Sequence, residues 1–222
     1  MCGRFTITDP IEEIMDRYMA AIADGFEYKP NYNAAPMQYI PTIIGSSNGN
    51  RLGSLRWGLV PSWADDQKIG NKMINARAET LAEKPAFKRL IGSKRCIIPT
   101  NGFYEWKKEG SRNQPMRILM KDESIFSLAG LYDTWIDPDG NKLSTCTIIT
   151  TEPNSLMADI HNRMPVILWP QDEAEWLNKE SDKEIVLGLL RPYDSDKMRA
   201  YKVDSSVGNV RNNNQDLIKE IS

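Results

Sequence analysis

The sequence predicts an α+β fold, on three observations. Strand-like runs cluster in the middle of the chain, helical patterning lies at both flanks, and the two do not alternate as a βαβ series would. The first helix is expected to start at Asp9-Pro10, with Asp9 as cap, Pro10 at the first helical position and Glu12 at capping-box spacing. Ile11, Ile14, Met15, Tyr18, Met19 and Ile22 then follow a helical stripe that faces a core, and Gly25 ends it. Strands are expected over Tyr39–Ile44, Arg51–Leu59, Arg95–Pro99, Met116–Met120, Ile125–Leu131 and Ser144–Thr151. Ser47-Asn48-Gly49-Asn50 and Asp137-Pro138-Asp139-Gly140 supply turns between them. A second helical stretch is expected from about Pro170 to Leu190, burying Trp176 and Leu177 and recapped near Ser181-Asp182. No repeat and no Gly, Ser or Pro linker divides the chain, so residues 1–222 read as one domain.

The 222 residues are 41% hydrophobic and 26% charged, which excludes wholesale disorder. The longest apolar runs, such as Ile185–Leu190, fall far short of the roughly 20 residues of a membrane helix, so no membrane partner is expected. The opening residues lack the basic and apolar regions of a signal peptide, and three cysteines do not make a disulfide framework. A reducing, cytoplasmic setting is the expectation. The net charge of −2 hides an asymmetry: residues 51–121 carry 15 basic against 6 acidic side chains. Such a block can present a basic face to a polyanion, or be neutralised by acidic segments across the fold. No heptad or apolar stripe calls for an oligomer, so a monomer is expected.

Cys2 is the first candidate for chemistry. A small residue after Met1 permits methionine removal, leaving a chain that begins with a 1,2-aminothiol. An α-amine has a pKa of about 7.7–8.0, so part of it is a neutral nucleophile near pH 7. Such a pair can condense with an aldehyde, the amine forming a Schiff base and the thiol closing a thiazolidine. It can also attack an amide, as N-terminal nucleophiles do, or the cysteine can stand there by coincidence. Cys96 and Cys146 lie in strand-like runs and read as small buried hydrophobes. One histidine and no CxxC pair leave no expected metal site, and no cofactor is expected.

Glu105 lies in Phe103-Tyr104-Glu105-Trp106. Apolar rings around a carboxylate raise its pKa towards neutrality, which suits an acid/base; the alternative is a strand whose glutamate faces solvent. His161, the only histidine, sits among polar residues and can shuttle a proton or bond a phosphate or sugar oxygen. Asn75 and Arg77, two apart in a strand-like run, would share one face, as a sugar-phosphate cradle or as a solvated surface. Tyr32-Asn33-Ala34-Ala35-Pro36 forms a polar turn, and Trp57 and Trp63 can stack on unpaired bases or fill a core.

Together these blocks resemble the SRAP family, the SOS-response-associated peptidase domains. The resemblance rests on Met1-Cys2-Gly3-Arg4-Phe5, Tyr32-Asn33-Ala34-Ala35-Pro36, Trp57-Gly58-Leu59 with Pro61-Ser62-Trp63, and Ile74-Asn75-Ala76-Arg77-Ala78-Glu79-Thr80. It continues through Arg95-Cys96-Ile97-Ile98-Pro99, Gly102-Phe103-Tyr104-Glu105-Trp106, His161-Asn162-Arg163-Met164-Pro165 and Val207-Gly208-Asn209-Val210. The resemblance implies a mostly antiparallel, curved or barrel-like sheet flanked by helices. It also implies capture of abasic sites in single-stranded DNA as a thiazolidine crosslink on Cys2, with Glu105 as acid/base. In that scheme His161 positions or protonates the sugar and Asn75 holds it. Asn33 shapes the pocket, Arg4 and Arg77 grip phosphates, and Trp63 belongs to the DNA-binding set. The family's older label leaves an N-terminal-cysteine peptidase, acting on other chains or on its own Met1–Cys2 bond, and a non-covalent reader of damaged or modified DNA as alternatives.

Overall fold

The computed structural model describes residues 2–222; Met1, whose removal the sequence leads one to expect, lies outside them. The chain opens with β1 (Phe5–Ile7), α1 (Ile11–Tyr18), β2 (Ala20–Ile22), β3 (Asn31–Ala34) and the hairpin β4 (Tyr39–Ser46) and β5 (Gly49–Trp57). The short β6 (Asn75–Arg77) follows, then α2 (Pro85–Lys88), α3 (Leu90–Ser93), β7 (Arg95–Thr100), β8 (Gly102–Glu109) and β9 (Arg112–Met120). Next come β10 (Phe126–Ile136), β11 (Lys142–Thr151), α4 (Ser155–Ala158), β12 (Met164–Pro165) and β13 (Ile167–Leu168). The chain closes with α5 (Glu173–Leu177), α6 (Lys183–Gly188) and β14 (Met198–Lys202).

The expected α+β class, with a mostly antiparallel barrel-like core and peripheral helices, is what the fold shows. β11, β10, β7, β4 and β5 pair in that order, and β5 returns to β11 in parallel through Thr145↔Arg56 and Cys146↔Trp57, closing a small barrel. A second sheet, ordered β14-β9-β8-β1-β3, grows from the same chain where β7 turns at Asn101 into β8. Gly130 sits inside the closure. A Cβ there would stand 2.9 Å from the Thr147 carbonyl and 3.0 Å from Cys96 Sγ, so only glycine lets β7, β10 and β11 approach. Cys96 and Cys146 are both fully buried free thiols.

Two helix expectations need correction. Pro10 rather than Asp9 is the cap of α1, with no side-chain capping bond, so the capping box does not form. The helix also stops at Tyr18. Met19 adopts a left-handed φ of 46°, and Ala20–Ile22 become β2, paired in parallel with β5. Backbone pairing to a distant strand overrides the local periodicity, and Met19 ends 86% exposed. The second helical stretch appears as two helices, with Asp182 Oδ1 accepting from Glu184 N at 2.7 Å to start α6. Trp176 and Leu177 are buried there as expected.

Not all of the central basic block faces solvent. Arg95 is buried and donates to the carbonyls of Ile91, Gly92, Trp176 and Asn178, tying α3 and α5 to β7. Arg117 is buried against Tyr201 and Asn101. Each meets hydrogen-bond acceptors at its buried cation, and both are thereby withdrawn from any surface field. Among the described residues, no helix is long and apolar enough to cross a membrane.

Candidate active site

The site begins where the chain begins. β1 and β8 pair antiparallel with Phe5 opposite Phe103, and Tyr104 N donates to Arg4 O at 3.0 Å. The segment ahead of β1 continues along β8 and brings Cys2 close enough to Glu105 for its thiol to feel the carboxylate's charge. Strand alternation turns Glu105 to the face of Phe103, in the main core. Tyr104 and Trp106 turn to a second cluster around Leu119, Tyr201 and Val203. The glutamate is therefore 2% exposed rather than facing solvent, and burial lifts its carboxyl pKa from 4.5 to about 7. Cys2 is fully buried as a free thiol. Burial, reinforced by the neighbouring Glu105 charge, pushes its pKa well above the ordinary thiol range.

A second group forms along β6, β11 and β12. β6 pairs with β11 in parallel, Asn75 opposite Ile148 and Arg77 opposite Thr150, and Thr150 in turn pairs with Pro165 of β12. Asn75 is half-buried; its Nδ2 reaches Ile148 O at 3.5 Å, and its Oδ1 is buried with no partner among the described residues. Arg77 is exposed. Both line a cavity of about 230 Å³ with Lys72, Lys84, Phe87 and Thr150. The two side chains thus share one face, and that face is basic.

The 161–165 loop completes this group. Asn154 caps α4 by accepting from Met157 N at 2.9 Å, and His161 N donates to Met157 O at 2.8 Å. The His161 ring is half-buried, which lowers its pKa below 6.5, and Arg163 N donates to its Nδ1 at 3.0 Å. Arg163 and Glu79, to which the sequence reading assigned no role, form a two-pronged bridge at 2.7 and 3.0 Å. Their only signal in sequence was membership of the Ile74–Thr80 and His161–Pro165 blocks. Trp57 joins the two groups: its ring lies 5.4 Å from that of Phe5, and its Nε1 donates to Ile74 O at 2.9 Å.

The remaining expected residues divide. Trp57 is buried core, while Trp63 is 53% exposed on the loop after β5. Asn33 is 1% exposed, with Nδ2 shared among the carbonyls of Val207, Asn209 and Asn212. Arg4 Nη2 donates to Gly208 O at 3.2 Å. Both residues therefore hold the 207–212 loop beside the chain start. Among the described residues, no three His, Cys, Asp or Glu side chains gather as a metal set.

A closed barrel carrying a buried cysteine–carboxylate pair at the start of the chain defines the class of protein at hand. The chain belongs to the SOS response associated peptidase (SRAP) family, whose model matches residues 1–210. It is 54% identical to the abasic site processing protein YoqW of Bacillus subtilis (strain 168), over 99% of each chain. It is 32% identical to the abasic site processing protein HMCES of Xenopus tropicalis, covering 89% of this chain and 68% of that one. A crystal structure of a Bacteroides thetaiotaomicron protein superposes with a TM-score of 0.85 at 34% identity, covering 92% of this chain and 93% of that one.

Proposed function

We propose that this protein captures ring-opened abasic sites in single-stranded DNA, using the amine and thiol of Cys2 once Met1 has been removed. The amine attacks the C1′ aldehyde to give a carbinolamine, which loses one water to form an imine. The thiol sulfur then adds to the imine carbon, its proton passes to the nitrogen, and a thiazolidine closes. One C–N and one C–S bond form, and one water leaves.

The observation that carries this reading is the buried Glu105 carboxyl beside Cys2, with a pKa of about 7. At that value the group is part acid and part base at neutral pH. It can protonate the departing hydroxyl and accept the thiol proton in turn. Burial disfavours the Cys2 thiolate, so the thiol needs a base at hand, and Glu105 is the carboxyl beside it. The basic cavity beside Asn75 and Arg77 offers an amide for a sugar and cations for phosphates. Names borne by the relatives, abasic site processing protein, agree with this substrate.

The test is an oligonucleotide with one abasic site, incubated with protein and run on a denaturing gel. A heat-stable shifted band that Cys2→Ala abolishes is expected. Absence of that band for the Met1-free protein sinks the proposal. Peptide cleavage in its place would favour the peptidase, and reversible binding alone a non-covalent reader.

A further inference from the structure

We propose that Glu79 is a positioning residue which, through Arg163, sets the tautomer of His161. The inference rests on His161 acting in the reaction proposed above. His161 Nδ1 meets both peptide groups of one residue: Arg163 N lies 3.0 Å away and Arg163 O 3.3 Å away. A neutral imidazole nitrogen either accepts or donates, so these contacts are alternatives. If Arg163 N–H is the better aligned, Nδ1 is bare and Nε2 carries the hydrogen. If Arg163 O is, the hydrogen sits on Nδ1 and Nε2 becomes an acceptor. A small tilt of the Arg163 backbone therefore decides whether the ring's other nitrogen presents a proton or a lone pair.

Arg163 is held against such a tilt by its own side chain. Both guanidinium nitrogens bridge the two Glu79 oxygens, at 2.7 and 3.0 Å, and Nη2 also donates to Thr150 O at 2.7 Å. Glu79 stands on the turn directly after β6, and Thr150 lies on β11, so the fork is anchored to two elements outside its loop. The Arg163 hydrogen bonds, with Arg77 nearby, hold the Glu79 carboxyl below the usual range, keeping it charged at neutral pH. Glu79 is about half exposed. An ion pair of this exposure adds little to the stability of the fold. Its planar, two-pronged geometry serves orientation better than stability.

The chain has a single histidine, so two-bond ¹⁵N–¹H spectra of uniformly labelled protein report one imidazole. For the wild type the expected pattern, recorded above the ring's pKa, is a bare Nδ1 and a protonated Nε2. Glu79→Ala should shift both nitrogens towards the averaged values of a tautomer mixture. It should also slow crosslinking at saturating DNA by roughly threefold or more, since positioned proton donors contribute far larger factors. Arg163→Lys, which keeps the charge and loses the fork, should give the same spectral change. It provides the reading should Glu79→Ala fail to fold. An unchanged tautomer pattern in a folded variant would overturn the proposal, as would a mixed pattern with an unchanged rate. Were the wild type to form no crosslink at all, the function proposed above would fall, while the spectra would still decide whether Glu79 sets the ring.

Discussion

The peptide N–H of Tyr104 donates to the carbonyl of Arg4 at 3.0 Å, and this contact seats the start of the chain against Glu105. Glu105 is placed by β8 itself, and Cys2, three residues ahead of β1, is brought to it by the segment that this contact anchors. A glutamate so placed titrates late, and two consequences follow for pH.

Glu105→Gln tests the first. The carboxyl has a folded pKa of about 7 against an ordinary 4.5, so the folded state binds the extra proton between those values. Stability from this group is fully present below pH 4.5 and is lost as pH rises towards and through 7. The loss amounts to about 3 kcal/mol. Urea unfolding at pH 5 and pH 8 should show wild type losing ground to Glu105→Gln over that interval. Equal pH dependence in the two proteins would mean that Glu105 is charged throughout.

The second consequence is kinetic. Crosslinking by the wild type should show an inflection near pH 7 from Glu105, and Glu105→Gln should lose it along with roughly a hundredfold in rate. Rates measured at saturating DNA over pH 5–9 provide the check. A retained inflection would assign the titration to another group.

Asn33 makes a different kind of prediction, because its amide is occupied by the 207–212 loop. Asn33→Ala should leave three carbonyls short of a donor and destabilise the protein by about 1–3 kcal/mol. The loop should become the earliest site of proteolytic nicking. The salt dependence of DNA binding should stay as it is, since a neutral amide 1% exposed neutralises no phosphate and so releases no counterion. A changed salt slope would place Asn33 in the DNA path after all.

How legible each feature was depends on how local its cause is. Glu105 could be singled out by its three aromatic neighbours in sequence, yet only Phe103 shares its face, and the core that buries it is assembled from distant segments. The shared face of Asn75 and Arg77 follows from strand alternation, a property of three residues. Met19–Ile22 misled because a helical stripe continues through them, while the strand they join, β5, begins some thirty residues further on. Glu79 and Arg163 lie 84 residues apart, and Asn33 lies more than 170 from its acceptors. No pattern within one segment encodes such partners. Barrel closure is equally non-local: β5 meets β11 through two residue pairs that nothing in either strand announces.

The two tryptophans of the Trp57–Trp63 segment separate stability from binding. Trp57 is fully buried, its ring tilted against that of Phe5 and its Nε1 donating to Ile74 O. Truncation to alanine should cost about 3–5 kcal/mol. Trp63 is 53% exposed, so Trp63→Ala should leave the urea midpoint almost unchanged. Single-strand affinity should fall by about 1–3 kcal/mol if a base stacks on the ring. Fluorescence titration with an abasic oligonucleotide separates the two variants, and unaltered affinity in Trp63→Ala would remove that residue from the DNA surface.

Arg77 is exposed on the cavity that Asn75 shares. Arg77→Ala should weaken binding of undamaged and abasic single strands alike, and reduce the salt slope by about one phosphate contact. The amine calls for a separate test. A protein carrying an uncleaved residue ahead of Cys2 keeps the thiol, Glu105 and the DNA surface, but its α-amine is displaced from the thiol by a peptide bond. It should therefore bind abasic DNA with near wild-type affinity and salt slope yet form no heat-stable product, because an amide nitrogen does not condense with an aldehyde. Crosslinking by that protein at the normal rate would mean that the thiol alone, or another nucleophile, attacks the lesion, and the aminothiol mechanism would have to be abandoned even with Cys2 at the centre of the site.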